Sequence, residues 1–444
     1  MAITETKTKY GQIHGTPKEG YTVFRGVPYA KPPVGEKRFC PPEEPACWEG
    51  VYKADHFGCV CPQTEHEPDS FYGKEFYLDP EFGMNQSEDC LYLNIWTPAN
   101  AADEKLPVAF WIHGGAFMHG FSHESEFDGA AYCERGVILV TINYRLGAFG
   151  FLAHPWLSEE SGAGRSGNYA ILDQIAALKW VKENIAAFGG DPENITVFGQ
   201  SAGCMSVQTL VSSPLTENWI SKAIFQSAGG YDTGLNRDMP LSEAETIGQE
   251  FVELSGAKSL EELRAIPAEK IVELQEEFGR VNPSRMLSFV PNIDNHLLTC
   301  GYNDAVTEGK IKDIPYMLGS TADDIGVFPE MKEKGEHGGI YKGCINWSLA
   351  LEKLGRKPAY VYYFTRALLG DDAGAFHSSE LWYMFGTLGR SWRPKTEGDY
   401  ALSKEMMDDW TNFMKTGNPN AEGKDDWKPC TKDDPYVQVL DVRK

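Results

Sequence analysis

Apolar residues fall in short runs with almost no polar interruption, separated by stretches of helical spacing. The runs at 108–112 (Val-Ala-Phe-Trp-Ile) and 137–142 (Val-Ile-Leu-Val-Thr-Ile) read as strands covered on both faces. A long helical pattern occupies 168–181, a strand-like run 195–198 and a helix-compatible run 204–210. Further strand-like runs follow at 222–225, 314–318 and 359–364. Such alternation predicts an α/β fold with a mostly parallel sheet flanked by helices. Between Gly11 and Gly26, turn residues alternate with short apolar runs, which predicts N-terminal antiparallel strands. The stretch from Ser242 to Glu277 is charged and helical. It is expected outside the sheet, within a cap-like helical region near the site around 235–290 and 326–355.

The composition narrows the function more than the fold. The chain has 444 residues, 42% of them hydrophobic, enough for a large core. No linker, low-complexity tract or repeat divides it, so residues 1–444 are expected to form one domain. A net charge of −23 argues against nucleic acid or an anionic membrane as partner. No apolar run approaches the length of a membrane span, and 1–7 lacks the apolar core of a signal peptide. A cytoplasmic location follows as an expectation, with the chain a monomer or weak homo-oligomer. Cys59-Val60-Cys61 is too close for a zinc pair, and His66-Glu67 has no second histidine one turn on. Neither a metal nor a cofactor is expected.

Gly199-Gln200-Ser201-Ala202-Gly203 carries the chemistry. It reads G-x-S-x-G between the strand-like 195–198 and the helix-compatible 204–210, as a nucleophile elbow requires. Glycine at 199 and 203 lets strand and helix nearly touch. The five-residue pattern alone arises by chance in roughly one such chain in four, so its surroundings decide. Gln226-Ser227-Ala228-Gly229 looks like a second elbow, but Phe225 stands where the first glycine belongs and disfavours the tight turn.

A serine nucleophile needs a base and donors for the oxyanion. His377 lies late in the chain, in a turn-rich stretch after the 359–364 run, where the order nucleophile, acid, histidine puts the base. The acid belongs between them, and Asp323 and Asp324 directly follow the 314–318 strand. Either could orient His377. The Gly-rich stretch from His113 through Gly114, Gly115 and Ala116 to Phe117 follows the 108–112 strand and suits an oxyanion loop, with His113 holding the loop rather than acting as base.

Together these residues resemble the type-B carboxylesterase family, which includes the cholinesterases and bacterial para-nitrobenzyl esterases. The likeness runs almost end to end. It covers 24–30 with 32–35, 88–95, 143–147, 188–192, the elbow, and Trp410 and Phe413 with 416–420. It implies an α/β-hydrolase fold and ester hydrolysis through Ser201, His377 and Asp324, with an oxyanion hole of Gly115, Ala116 and Ala202. Most members have Glu at the acid, and many have Gly where Ala116 stands. Gln200 replaces the usual Glu and removes a negative charge beside the histidine, which disfavours a cationic choline substrate. Gly114 and Ser227 match supporting positions. The resemblance further implies structural Arg38–Glu88 and Arg145–Asp173 pairs, and Cys61 with Cys90 match a pair disulfide-bonded in secreted members. Only 53 positions separate Asp324 from His377, fewer than in most members. A reduced cap and an open site for bulky or aromatic esters are therefore expected. The alternatives are a non-catalytic esterase-like recognition domain, or an amide or thioester hydrolase on the same triad.

Overall fold

The computed structural model describes residues 2–443. Twelve strands form its sheet. They are β1 (Glu5–Thr8), β2 (Gly11–Lys18), β3 (Tyr21–Pro28), β4 (Val51–Ala54), β5 (Tyr92–Thr97), β6 (Leu106–Ile112), β7 (Ile138–Ile142), β8 (Gly190–Gln200), β9 (Lys222–Gln226), β10 (Tyr316–Thr321), β11 (Tyr360–Phe364) and β12 (Gln438–Leu440). The spatial order is β1-β2-β3-β5-β7-β6-β8-β9-β10-β11-β12, with β4 beside β2. Pairing is antiparallel from β1 through β5 to β7, and parallel from β7 to β12. The N-terminal antiparallel strands and the mostly parallel sheet are thus both present.

The unbroken apolar runs have a simple cause. Successive side chains of a strand point to opposite faces. On β6, Val108, Phe110 and Ile112 join one core while Ala109 and Trp111 join another. On β8, Ile195 and Val197 face the first core and Phe198 the second. Helices Tyr169–Asn184 and Ala202–Ser212 cover the first face. Helix Glu397–Thr416 covers the second with Met406, Trp410 and Phe413, and starts on a Thr396–Asp399 capping box. Both faces are buried, so neither needs a polar alternation.

Two ion pairs lock the N-terminal half. Arg38 Nε donates to Glu88 at 2.6 Å, and Arg145 donates to both Asp173 oxygens at 2.8 and 2.7 Å. Each pair is bidentate, the geometry that offsets desolvation best. Cys61 and Cys90 are buried, unbridged thiols.

Helices occupy both stretches expected outside the sheet, but none of them walls the cavity described below. Helices Leu241–Ser255 and Ala268–Val281 pack through Phe251 and Phe278, with Phe289 of the following loop edge-on to Phe251, and helix Leu260–Ala265 between them docks on the N-terminal half. There Arg38 donates to the Arg264 carbonyl at 3.0 Å. Helix Gly339–Lys353 lies on the sheet itself, with Trp347 edge-on to Phe225 and Tyr316. The apolar stripe of each helix needed a partner, and the nearest apolar surface was sheet or flank rather than the pocket mouth. No helix among the described residues is long and apolar enough to cross a membrane.

Candidate active site

Ser201 sits between the end of β8 and helix Ala202–Ser212 with φ 56° and ψ −126°. Such a conformation is uncommon for a residue with a Cβ and is held by its surroundings. Ser201 N donates to the Gln226 carbonyl at 2.9 Å, and its own carbonyl accepts from Met205 N at 3.0 Å. A Cβ on Gly199 would lie 2.6 Å from the Gly203 carbonyl carbon, and one on Gly203 would lie 2.1 Å from the Ile112 carbonyl oxygen. Any larger residue at either position would force strand and helix apart.

Ser227 takes a similar backbone angle, φ 57°, despite Phe225. The expectation that Phe225 disfavours the turn is therefore corrected. Among the described residues no helix starts at Ser227, the next one beginning at Leu241, so the tight strand-to-helix crossing of Ser201 is not repeated here. The small residue is needed on the other side, where a Cβ on Gly229 would lie 2.6 Å from the Phe225 ring. Ser227 is fully buried and stays off the cavity that Ser201 lines.

His377 and Asp324 meet across two loops. His377 Nδ1 lies 2.6 Å from Asp324 Oδ1. The Asp324 carboxylate also accepts from Thr321 N at 3.0 Å and Ile325 N at 2.9 Å. Asp323 points elsewhere: it accepts from Ala375 N at 2.8 Å and pairs with Lys332, pinning the loop that carries His377. On the other ring face, the Gln200 amide nitrogen is 3.1 Å from His377 Nε2. An amide NH2 only donates, so Nε2 accepts and the ring proton sits on Nδ1 against Asp324. The hydrogen bonds thereby set a tautomer in which Nε2 is an acceptor.

The loop after β6 supplies donors. Gly115 (φ 96°) and Ala116 (φ 55°) turn their N–H groups free of any protein acceptor among the described residues. Ala202 N, at the first turn of its helix, is likewise free of one. A Cβ on Gly115 would lie 2.1 Å from the His119 carbonyl oxygen, and one on Gly114 would press on Gln200 and Ser201. His113 donates from Nδ1 to the Gly114 carbonyl at 2.9 Å and stacks on Tyr144, so it braces this loop. Burial lowers its pKa to about 4.

These groups share one cavity of about 220 Å³. Gly114, Gly115, Ala116, Gln200, Ser201 and His377 line it. So do groups that the sequence reading did not single out. The short helix Phe71–Phe76 and its flanks bring His66, Tyr72, Phe76 and Tyr77. Two carboxylates, Glu124 and Glu126, come from the loop beyond the Gly-rich turn. Burial pushes the Glu124 pKa up to about 7, and burial with the Glu124 charge pushes Glu126 well above the usual range. Burial lowers His66 to about 4. Acidic residues two apart in a loop carry no sequence signal of burial. Glu380, beneath His377, is also raised to about 7 by burial.

A serine on a strand-to-helix elbow, at the carboxyl edge of a mostly parallel sheet with helices on both faces, defines an α/β-hydrolase. The carboxylesterase family profile matches residues 3–343 and 345–444, and the chain belongs to that family of ester hydrolases. It is 33% identical to the para-nitrobenzyl esterase of Bacillus subtilis (strain 168), over 98% of this chain and 94% of that protein. It is also 33% identical to the fumonisin B1 esterase of Sphingopyxis macrogoltabida, over 95% and 83%. A solved para-nitrobenzyl esterase structure superposes with a TM-score of 0.86 at 31% identity, covering 99% of this chain and 96% of that one.

Proposed function

We propose that the protein hydrolyses carboxylic esters through an acyl-enzyme on Ser201, with His377 as base, Asp324 as its orienting acid, and bulky or aromatic esters as preferred substrates. The observation that carries this reading is the convergence on one cavity of the elbow serine, the His377–Asp324 pair and the free N–H groups of the Gly115 loop. His377 Nε2 takes the Ser201 proton as Oγ attacks the carbonyl carbon, and the Gly115, Ala116 and Ala202 N–H groups hold the oxyanion. Collapse breaks the ester C–O bond, and His377 returns the proton to the leaving alcohol. Water then gives a proton to His377 and attacks the acyl carbon, and Ser201 leaves with that proton.

An apolar rim supports the bulky-ester part. Ile325 lines the cavity and is 46% exposed, and Phe71, 42% exposed, stands edge-on to Phe376 beside His377. Two relatives carry names of para-nitrobenzyl and fumonisin B1 ester hydrolysis. Burying a phenyl ring is worth about 2–3 kcal/mol, so benzyl butyrate is expected to exceed ethyl butyrate by about 100-fold in kcat/KM. Activity confined to short aliphatic esters would overturn this preference.

Gln200 tunes the base in the same scheme. Gln200→Glu places a negative charge against Nε2 and stabilises the imidazolium relative to the neutral ring. The base works unprotonated, so activity is lost at a higher pH as the medium is acidified. The acidic limb of the kcat/KM profile is expected to move up by about one pH unit. An unmoved limb would show that Gln200 does not face the working base.

A further inference from the structure

We propose that Glu124 and Glu126 form a hydroxyl-recognising subsite on the wall of the catalytic cavity, which takes a phenolic hydroxyl of an aromatic ester. The proposal rests on the aromatic-ester reading above and names what the ring must carry.

Both carboxylates line the cavity that holds Ser201, yet they are only 6% and 1% exposed. Glu124 Oε1 accepts from Phe121 N at 2.8 Å. Glu126 Oε2 is buried with no hydrogen-bond partner among the described residues. A buried carboxyl oxygen without a partner is costly, and native proteins rarely leave one. Among the described residues, no lysine or arginine lines the cavity to neutralise the pair. His119 adds to the demand for a donor. Its Nδ1 lies 3.2 Å from the Thr64 carbonyl and donates to it, which leaves Nε2 as an acceptor. Tyr72 and Tyr77 bring hydroxyls to this wall, and neither reaches Glu126 Oε2, which a ligand hydroxyl can partner.

The same wall is aromatic. Tyr77 lies flat against His66 at 4.7 Å, and Tyr72 and Phe127 complete the lining beside the acids. A cavity of about 220 Å³ takes an aromatic ring with its tether. Burial keeps a proton on the acid pair near neutrality. A carboxylic acid beside a carboxylate can donate to a hydroxyl oxygen and accept its proton in turn. A neutral hydroxyl uses both the donor and the acceptor of the pair, whereas an ammonium group uses only the acceptor. This balance favours a neutral hydroxyl over a cation.

Two matched ester series test the subsite: methyl 3-phenylpropanoates and 2-phenylethyl acetates, each with hydrogen, hydroxyl, methoxyl or aminomethyl at the ring para position. In the series whose ring enters the cavity, the hydroxyl ester is expected to exceed the methoxyl ester by about 10- to 100-fold in kcat/KM, since a hydrogen bond to a charged group is worth roughly 1.5–3 kcal/mol. In Glu126→Met and in Glu126→Leu that ratio is expected to fall to within about threefold. The ratio compares two substrates on one enzyme, so a partial loss of folded protein does not move it, and the similarly sized methionine variant serves if the leucine variant does not fold. Hydrolysis of every ester with no hydroxyl preference in either series overturns the subsite while leaving the esterase assignment standing. A hydroxyl preference that survives both variants overturns it too, as does an aminomethyl ester that outruns the hydroxyl one. Failure to hydrolyse any of these aryl esters, with ethyl butyrate still cleaved, removes the aromatic reading and the subsite with it.

Discussion

Ser201→Ala lowers kcat for a simple chromogenic ester by about a million-fold, whereas Ser227→Ala costs less than about tenfold. The two serines are matched in backbone, with φ 56° and 57°, and differ in what surrounds them. Ser201 opens a helix whose first N–H is free and lines a cavity with His377. Ser227 is sealed under β10, where its N–H donates to the Gly319 carbonyl at 2.9 Å and no substrate reaches it. A hydroxyl attacks only when its proton has somewhere to go and the oxyanion it creates is held. A fluorophosphonate probe gives the second readout: it labels wild type and Ser227→Ala and leaves Ser201→Ala unlabelled. Near-normal turnover by Ser201→Ala would end the assignment, and so would labelling of that variant. A recognition domain without catalysis would show neither turnover nor labelling in the wild-type chain.

Some of this was legible in the sequence for definite physical reasons. A strand buried on both faces admits almost no polar residue, so β6, β7 and β8 announce themselves as apolar runs. The elbow is legible because two backbones meet at Gly199 and Gly203, and only a hydrogen fits there. Position in the chain left the acid as a pair, and the resemblance chose Asp324: Asp323 and Asp324 are neighbours in sequence, and the fold sends the first to the Ala375 N–H and the second to His377. What composition and spacing could not show is which polar residues the loops bury. Glu124, Glu126 and the aromatic cluster at 71–77 carry no periodic pattern to single them out. They become cavity wall through the tertiary fold, in which Trp382 Nε1 donates to Glu75 at 2.9 Å. The second-elbow reading went astray in the same way: Phe225 conflicts with a tight turn only where a helix crosses back over the strand, and crossing is a tertiary fact.

Asp324→Asn is expected to lower kcat by about ten-thousandfold with the fold intact, while Asp323→Asn loses less than about tenfold. Asp324 presents both oxygens to donors: Thr321 N–H on Oδ2, and Ile325 N–H and the His377 Nδ1 on Oδ1. An asparagine has one acceptor and one donor end. With its NH2 toward Thr321, two donors face each other across the bond that fixes the loop. With its NH2 toward His377, the imidazole must flip its proton to Nε2, and a ring protonated there cannot take the Ser201 proton. The amide also carries no charge to stabilise the imidazolium once it forms. Asp323 cannot take over the task, because its carboxylate is held by Ala375 N–H and Lys332. Its own loss loosens the His377 loop without changing the tautomer. Steady-state kcat for the two variants, with a thermal melt for each, separates the roles: a ten-thousandfold loss in Asp323→Asn beside a near-normal Asp324→Asn would exchange them.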